Sequence, residues 1–209
     1  MQAMDRSGSK NDRATHGSDT QPRKRRPLRK ATLDRAALHY LERYASSVEG
    51  LRRVLFRRVE KAAREERCDR DEASAWVEEV VARFIQAGLV DDRRFAEGRA
   101  ASLRRRGDSA RKIDGKLREK GIEPALIDAA LAEQDGHDTD AAEFAAACRL
   151  AKRRRLGAMR PTDTRLGLRN RDLATLARAG FSLDIAHRVL DIEDRQTLEA
   201  VTQGQRLSG

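Results

Sequence analysis

From Leu33 onward the apolar residues recur with a helical period. Leu33, Ala36, Ala37, Tyr40, Leu41 and Tyr44 stand at i, i+3, i+4, i+7, i+8 and i+11. Ser46 and Glu49 form an S-x-x-E capping box. It opens a second helix whose Val48, Leu51, Leu55 and Val59 face one way. After the polar connector Arg67–Asp71, residues Ala73, Trp76, Val77, Val80, Val81 and Phe84 make the cleanest amphipathic face in the chain, closed by Gly88. These segments predict a first unit of three helices.

Two more units follow. The second runs from Asp91 and Asp92 through Phe95, Arg99 and Leu103 to Gly107. A short helix (Ala110, Ile113, Leu117) then stops at Gly121, and a third starts at Pro124, whose missing N–H costs nothing in a first turn. The last unit begins near Asp138–Asp140 and continues through Phe144, Cys148 and Ala151. It crosses an irregular stretch, 157–169, and resumes at Leu173 and Leu176 as far as Gly180. A final helix is capped by Ser182, with Ile185, Ala186, Val189 and Leu190 inside.

The spacing repeats. Leu117-x3-Gly121-Ile122-x3-Leu126-x4-Leu131 returns 59 residues later as Leu176-x3-Gly180-Phe181-x3-Ile185-x4-Leu190. Leu51 and Leu55 match Ile113 and Leu117 at an offset of 62. Equal spacing across helix, glycine stop and helix marks a structural repeat. The expected architecture is all-α: three tandem three-helix repeats forming an elongated, curved body. Its parts are a disordered basic tail at 1–30, repeats at 31–90, 91–135 and 136–195, and a C-terminal tail at 196–209.

Composition agrees with helices and narrows the function. Only 4% of the 209 residues are aromatic against 37% charged, which disfavours a sandwich or barrel. No run approaches the ~18 apolar residues of a spanning helix. The N-terminus has no apolar signal stretch, so a cytoplasmic protein away from membranes is expected. Cys68 and Cys148 stand in no disulfide or zinc spacing. The four histidines are dispersed, so no metal site is expected. No phosphate-binding glycine motif is present, hence no nucleotide cofactor.

The net charge of +10 is unevenly placed. Residues 1–30 carry +6, the stretch from Arg93 to Lys120 carries +7, and Arg149 with Lys152–Arg155 adds +5. Everything else is net acidic. Cations in a last helical turn favour the macrodipole by about 0.3–1 kcal/mol. Consecutive ones step ~100° around the helix and cannot all serve its end, which points to a partner. Arg104, Arg105, Arg106, Arg111, Lys112, Arg153, Arg154 and Arg155 are the expected contact residues. Asp91 and Asp92 read as a helix cap and a first-turn charge rather than catalytic carboxylates. Phe95 and Phe181 are expected between units, Trp76 in the core, and Cys68 as a candidate reactive thiol.

The chain resembles the RecX regulatory proteins, modulators of the RecA recombinase, over roughly 34–191. Gly88-Leu89-Val90-Asp91-Asp92-Arg93-Arg94-Phe95-Ala96 is similar to the family's G-L-[LI]-D-D-x-x-[YF]-A signature. Lys116–Ile122 and Leu176–Ser182 are similar to two further conserved stretches. The resemblance implies a monomer without catalytic activity. It would bind the RecA nucleoprotein filament along its groove, with possible contacts to DNA phosphates. There it would lower RecA's ATPase, strand-exchange and coprotease activities. The competing reading is a non-specific nucleic-acid-binding helical protein that acts without RecA. That reading is weakened by the expected lack of exposed aromatic platforms for stacking bases.

Overall fold

A computed structural model describes residues 26–203. Among them are ten α-helices, one short 3-10 turn and no strand: α1 (Lys30–Leu41), α2 (Val48–Arg64), α3 (Arg70–Gln86), α4 (Asp92–Arg105), α5 (Ala110–Arg118), α6 (Pro124–Asp135), α7 (Thr139–Arg154), α8 (Thr162–Arg178), α9 (Leu183–Leu190) and α10 (Arg195–Thr202). The apolar stripes close three separate cores. The first takes α1–α3, around Leu33, Leu51, Val77 and Phe84. The second takes α4–α6, around Leu103, Ile113, Leu117 and Ile127. The third takes α7–α10, around Leu150, Leu176, Ile185 and Leu198.

Side-chain caps set most helix starts. Ser47, Asp69, Asp91, Ser109, Asp138, Ser182 and Asp194 each accept from a backbone N–H in the first turn that follows. The cap of α2 is one residue later than the expected box. Ser47, not Ser46, accepts from the Gly50 N–H at 3.0 Å, and Glu49 pairs with Arg52 and Arg53 instead.

Three expectations about boundaries change. The basic tail was placed at 1–30; residues 1–25 lie outside the described residues. Leu28 is already buried, and its N–H bonds the Arg67 carbonyl at 3.0 Å. The stretch 157–169 is not irregular, because after the turn Gly157–Met159 helix α8 starts at Thr162. Its first turns carry no apolar stripe, with Leu166 87% exposed. They are held by Arg165, which donates to the carbonyls of Ala158, Arg160 and Glu193. The expected C-terminal tail at 196–209 instead contributes α10, which buries Leu198 and Val201 in the third core. Eight residues with so few apolar positions gave too weak a period to read. Residues 204–209 lie outside the described residues.

The units meet through a joint made twice. Ser47 at the start of α2 donates its hydroxyl to the Lys120 carbonyl at 2.7 Å. Ser109 at the start of α5 donates to the Ala179 carbonyl, also at 2.7 Å. The next backbone N–H is capped by a carboxylate of the following unit each time. Val48 donates to Asp92 at 2.8 Å, and Ala110 donates to Glu143 at 3.2 Å. Gly121 and Gly180 supply the close approach. A Cβ on Gly121 would lie 2.6 Å from the Glu49 Cβ, and one on Gly180 would lie 2.5 Å from the Ser109 Oγ. Ser47 and Ser109 are 62 residues apart, and Lys120 and Ala179 are 59 apart. The repeat seen in sequence is therefore a repeat of the contact between units as well as of the helices.

Candidate partner-binding surface

The second joint brings two of the positive packets together. Gly107 ends α4 with φ +79, and a Cβ there would lie 2.7 Å from the Leu150 backbone N and 2.8 Å from the Ala146 carbonyl oxygen. The end of α4 thus presses on the middle of α7, and the Arg104–Arg106 run comes to lie beside the Arg149–Arg155 run. Between them opens a cleft of about 570 Å³ lined by Arg105, Arg106, Lys112, Lys116, Arg149, Lys152 and Arg153, with Asp108 as its one acid. Across it Arg153 donates to the Arg106 carbonyl.

Asp108 is buried beneath the cleft and paired with Lys112, at 3.0 Å, and with Lys116. Burial alone would raise its carboxyl. The hydrogen bonds from Lys116 and Lys112 outweigh that and hold it below the ordinary carboxylate value. Two lysines are thus partly neutralised. The exposed Arg105 and Arg106 and the half-buried Arg149 have no carboxylate partner among the described residues. Cations that line one cleft sum their fields toward an anion, and less so as salt rises.

The eight expected contact residues separate. Arg105, Arg106, Lys112 and Arg153 converge on the cleft. Arg155 lines a neighbouring hollow with Lys152, Arg160 and Arg195. Arg111, beside Gly180 at the joint, and Arg154 are exposed outside the cleft.

Arg104 is a correction. It is only 6% exposed. Its guanidinium donates to both Asp135 oxygens, at 2.9 and 2.5 Å, and also to Glu143 and the Asp108 carbonyl. Burial opposes its charge, but Asp135 and Glu143 more than offset this and raise its pKa above the ordinary arginine value. Arg104 pins the second unit to the third and does not line the cleft. The charge run could not reveal this, because its counter-charges lie 31 and 39 residues away. Lys116 and Arg149, which join the cleft, were visible only as members of their charge packets.

Other expected residues find structural places. Asp91 caps α4, accepting from the N–H groups of Arg93 and Arg94, while Asp92 turns to the first joint. The two carboxylates therefore do not converge. Burial and the neighbouring Asp91 push the Asp92 carboxyl above its ordinary value despite the Val48 N–H. Phe181 is buried in the third core, and Trp76 packs half-buried on the first. Cys68 is half-buried and its thiol is pushed up by burial, against the expected reactivity. Among the described residues no group of His, Cys, Asp and Glu is placed to hold a metal ion. No helix among them is long and apolar enough to cross a membrane.

Residues 91–131, spanning α4 to α6, match a family model described as RecX, second three-helix domain. The regulatory protein RecX of Myxococcus xanthus is 43% identical over 185 residues, covering 86% of this chain and 97% of that protein. Those of Streptomyces coelicolor and Thermobifida fusca are 40% and 36% identical over 123 and 125 residues, covering 60% and 62% of their own lengths. No solved structure matches the chain.

Proposed function

The chain belongs to the RecX family of regulatory proteins, and from that premise we propose that it binds the groove of the RecA–DNA filament as a monomer and acts as a negative regulator, without chemistry of its own. Its effect is to lower RecA's ATPase, strand-exchange and coprotease activities. The observation that carries this reading is the cationic cleft at the second joint. It holds seven basic side chains, of which Arg105, Arg106 and Arg149 have no carboxylate partner among the described residues, in a body made of repeated units. A row of units suits an extended, repeating, polyanionic target, because modest contacts on a linked scaffold add through effective concentration. Arg105, Arg106, Arg149 and Arg153 are the contacts that the reading favours, with DNA phosphates as their targets.

The direct test is RecA ATPase on single-stranded DNA, using RecA from the same organism, with and without stoichiometric protein. Inhibition is expected, and it should weaken when Arg105 and Arg106 are both changed to Ala. Undiminished ATPase with the wild-type protein would refute the proposal. Tight DNA binding at physiological salt without RecA would favour the simple nucleic-acid binder.

A further inference from the structure

The first joint carries a second cleft of a different character. About 420 Å³ opens between α1, the start of α2 and α4, lined by Tyr40, Phe95, Arg94, Arg99 and Lys120 over small residues including Gly50 and Gly98. It runs into a smaller hollow of about 220 Å³ containing Leu41, Tyr44 and Leu89, with Asp91 as its one acid, since Ala45, Ser46, Arg94 and Phe95 line both. The ring centroids of Tyr40 and Tyr44 lie 5.4 Å apart in a tilted pair. Ion pairs Lys30–Glu79 and Asp34–Arg83, one turn apart on each helix, show that α1 and α3 run the same way. Their C-terminal ends therefore lie together.

Four of the six exposed large apolar residues among the described residues, namely Leu38, Tyr44, Ile85 and Leu89, stand in the last turn of α1 or α3 or within three residues beyond it. Tyr44 and Leu89 line the hollow. A soluble protein gains nothing by grouping such residues unless something covers them. Arg94, Arg99 and Lys120 beside them have no carboxylate partner among the described residues. Aromatic and aliphatic surface next to unpaired arginine is the composition of a protein–protein interface core. A phosphate-tracking groove would be denser in cations and would have no use for Leu89 or Leu41. The second joint is that groove, and none of the exposed large apolar residues lines it.

We infer that the first joint is a protein-docking site for an acidic polypeptide segment that inserts an apolar side chain. The inserted side chain sits against Tyr44, Leu89 and Phe95, and the segment's carboxylates meet Arg94, Arg99 and Lys120. The two joints then divide the work: the first holds protein and the second holds phosphate. The choice of RecA as the source of the segment rests on the function proposed above.

Two variants separate the joints without disturbing a core. Tyr44→Ser with Leu89→Ser removes exposed apolar surface. Gly98→Trp fills the cleft, since a Cβ at Gly98 would meet nothing within 4 Å. Each is measured by co-sedimentation with RecA filaments assembled on single-stranded DNA, and by fluorescence anisotropy with a labelled oligo-dT without RecA at low salt, where phosphate contacts alone suffice for weak binding. Both variants should lose at least about tenfold in filament affinity while keeping oligo-dT binding within about twofold. Arg105→Ala with Arg106→Ala should weaken oligo-dT binding at least as much as filament affinity. If the wild type binds filaments and both first-joint variants bind equally well, the inference is overturned and the proposed function stands. If they lose oligo-dT binding in parallel, the cleft is a nucleic-acid site and the inference again falls. Failure of the wild type itself to bind filaments would overturn the proposed function, and with it RecA as the partner.

Discussion

Replacing Arg104 by Ala tests whether the second joint is pinned by a buried charge network. Asp135 is 3% exposed and accepts two hydrogen bonds from Arg104, and Glu143 is 17% exposed. Truncation leaves Asp135 buried without a counter-charge, while Glu143 keeps only the Ala110 N–H. Breaking a buried pair by removing one partner costs about 3–5 kcal/mol, a large share of the ~5–15 kcal/mol that holds a typical domain. An exposed pair would cost under about 1 kcal/mol. The double variant Arg104→Met, Asp135→Leu removes both charges and fills the space, so it should recover at least half of the loss. Urea unfolding followed by far-ultraviolet circular dichroism reads all three proteins. A loss below about 1 kcal/mol for Arg104→Ala, or a double variant weaker than the single, would refute the reasoning.

Gly107→Ala and Gly88→Ala both place a side chain at positive φ, worth about 1–2 kcal/mol. Of the two, only at Gly107 does the new Cβ meet backbone, so that variant should lose about 1–3 kcal/mol more stability, read as the larger fall in melting temperature. In acid, two aspartates should act with opposite sign. Burial raises Asp172, but hydrogen bonds from Arg160 and the Gly157 N–H outweigh it and hold the carboxyl below its ordinary value. Its stabilisation is full above about pH 4 and disappears as pH falls through the depressed value, and Asp172→Asn should remove that acid limb. Asp92 is raised, so its charge opposes folding at neutral pH and its protonation on acidification relieves that cost. Asp92→Asn keeps an acceptor for the Val48 N–H and should leave stability at pH 7 unchanged or higher. Finally, burial pushes the Cys148 thiol up to about 12. It should resist Ellman's reagent in the native protein and react only when the third unit opens, whereas half-buried Cys68 should react slowly throughout.

The helices whose apolar stripe faces a core were legible from periodicity, as were the glycine stops and the repeat. What escaped was held by polar contacts instead of a stripe. The first turns of α8 hang on Arg165 bonding three carbonyls, and α10 has only Leu198 and Val201 to mark it. The positive packets were legible as charge, but their sorting was not. Arg104 and Arg105 are neighbours in sequence, yet one points into a carboxylate pair and the other into open solvent. Tyr44 reads as part of the first helix's apolar stripe. Tyr44 is 58% exposed beside the first cleft, because a joint exposes helix ends that a periodic stripe assigns to the interior.

The serine–carbonyl joint also fixes how far the series can run. Each contact needs a hydroxyl at the start of a unit's second helix, supplied by Ser47 and then by Ser109. The corresponding start of α8 is Pro161, which has no hydroxyl to offer. A further module could not dock there by the same bond. The joint that links the units is thus made twice and is not offered a third time by the start of α8.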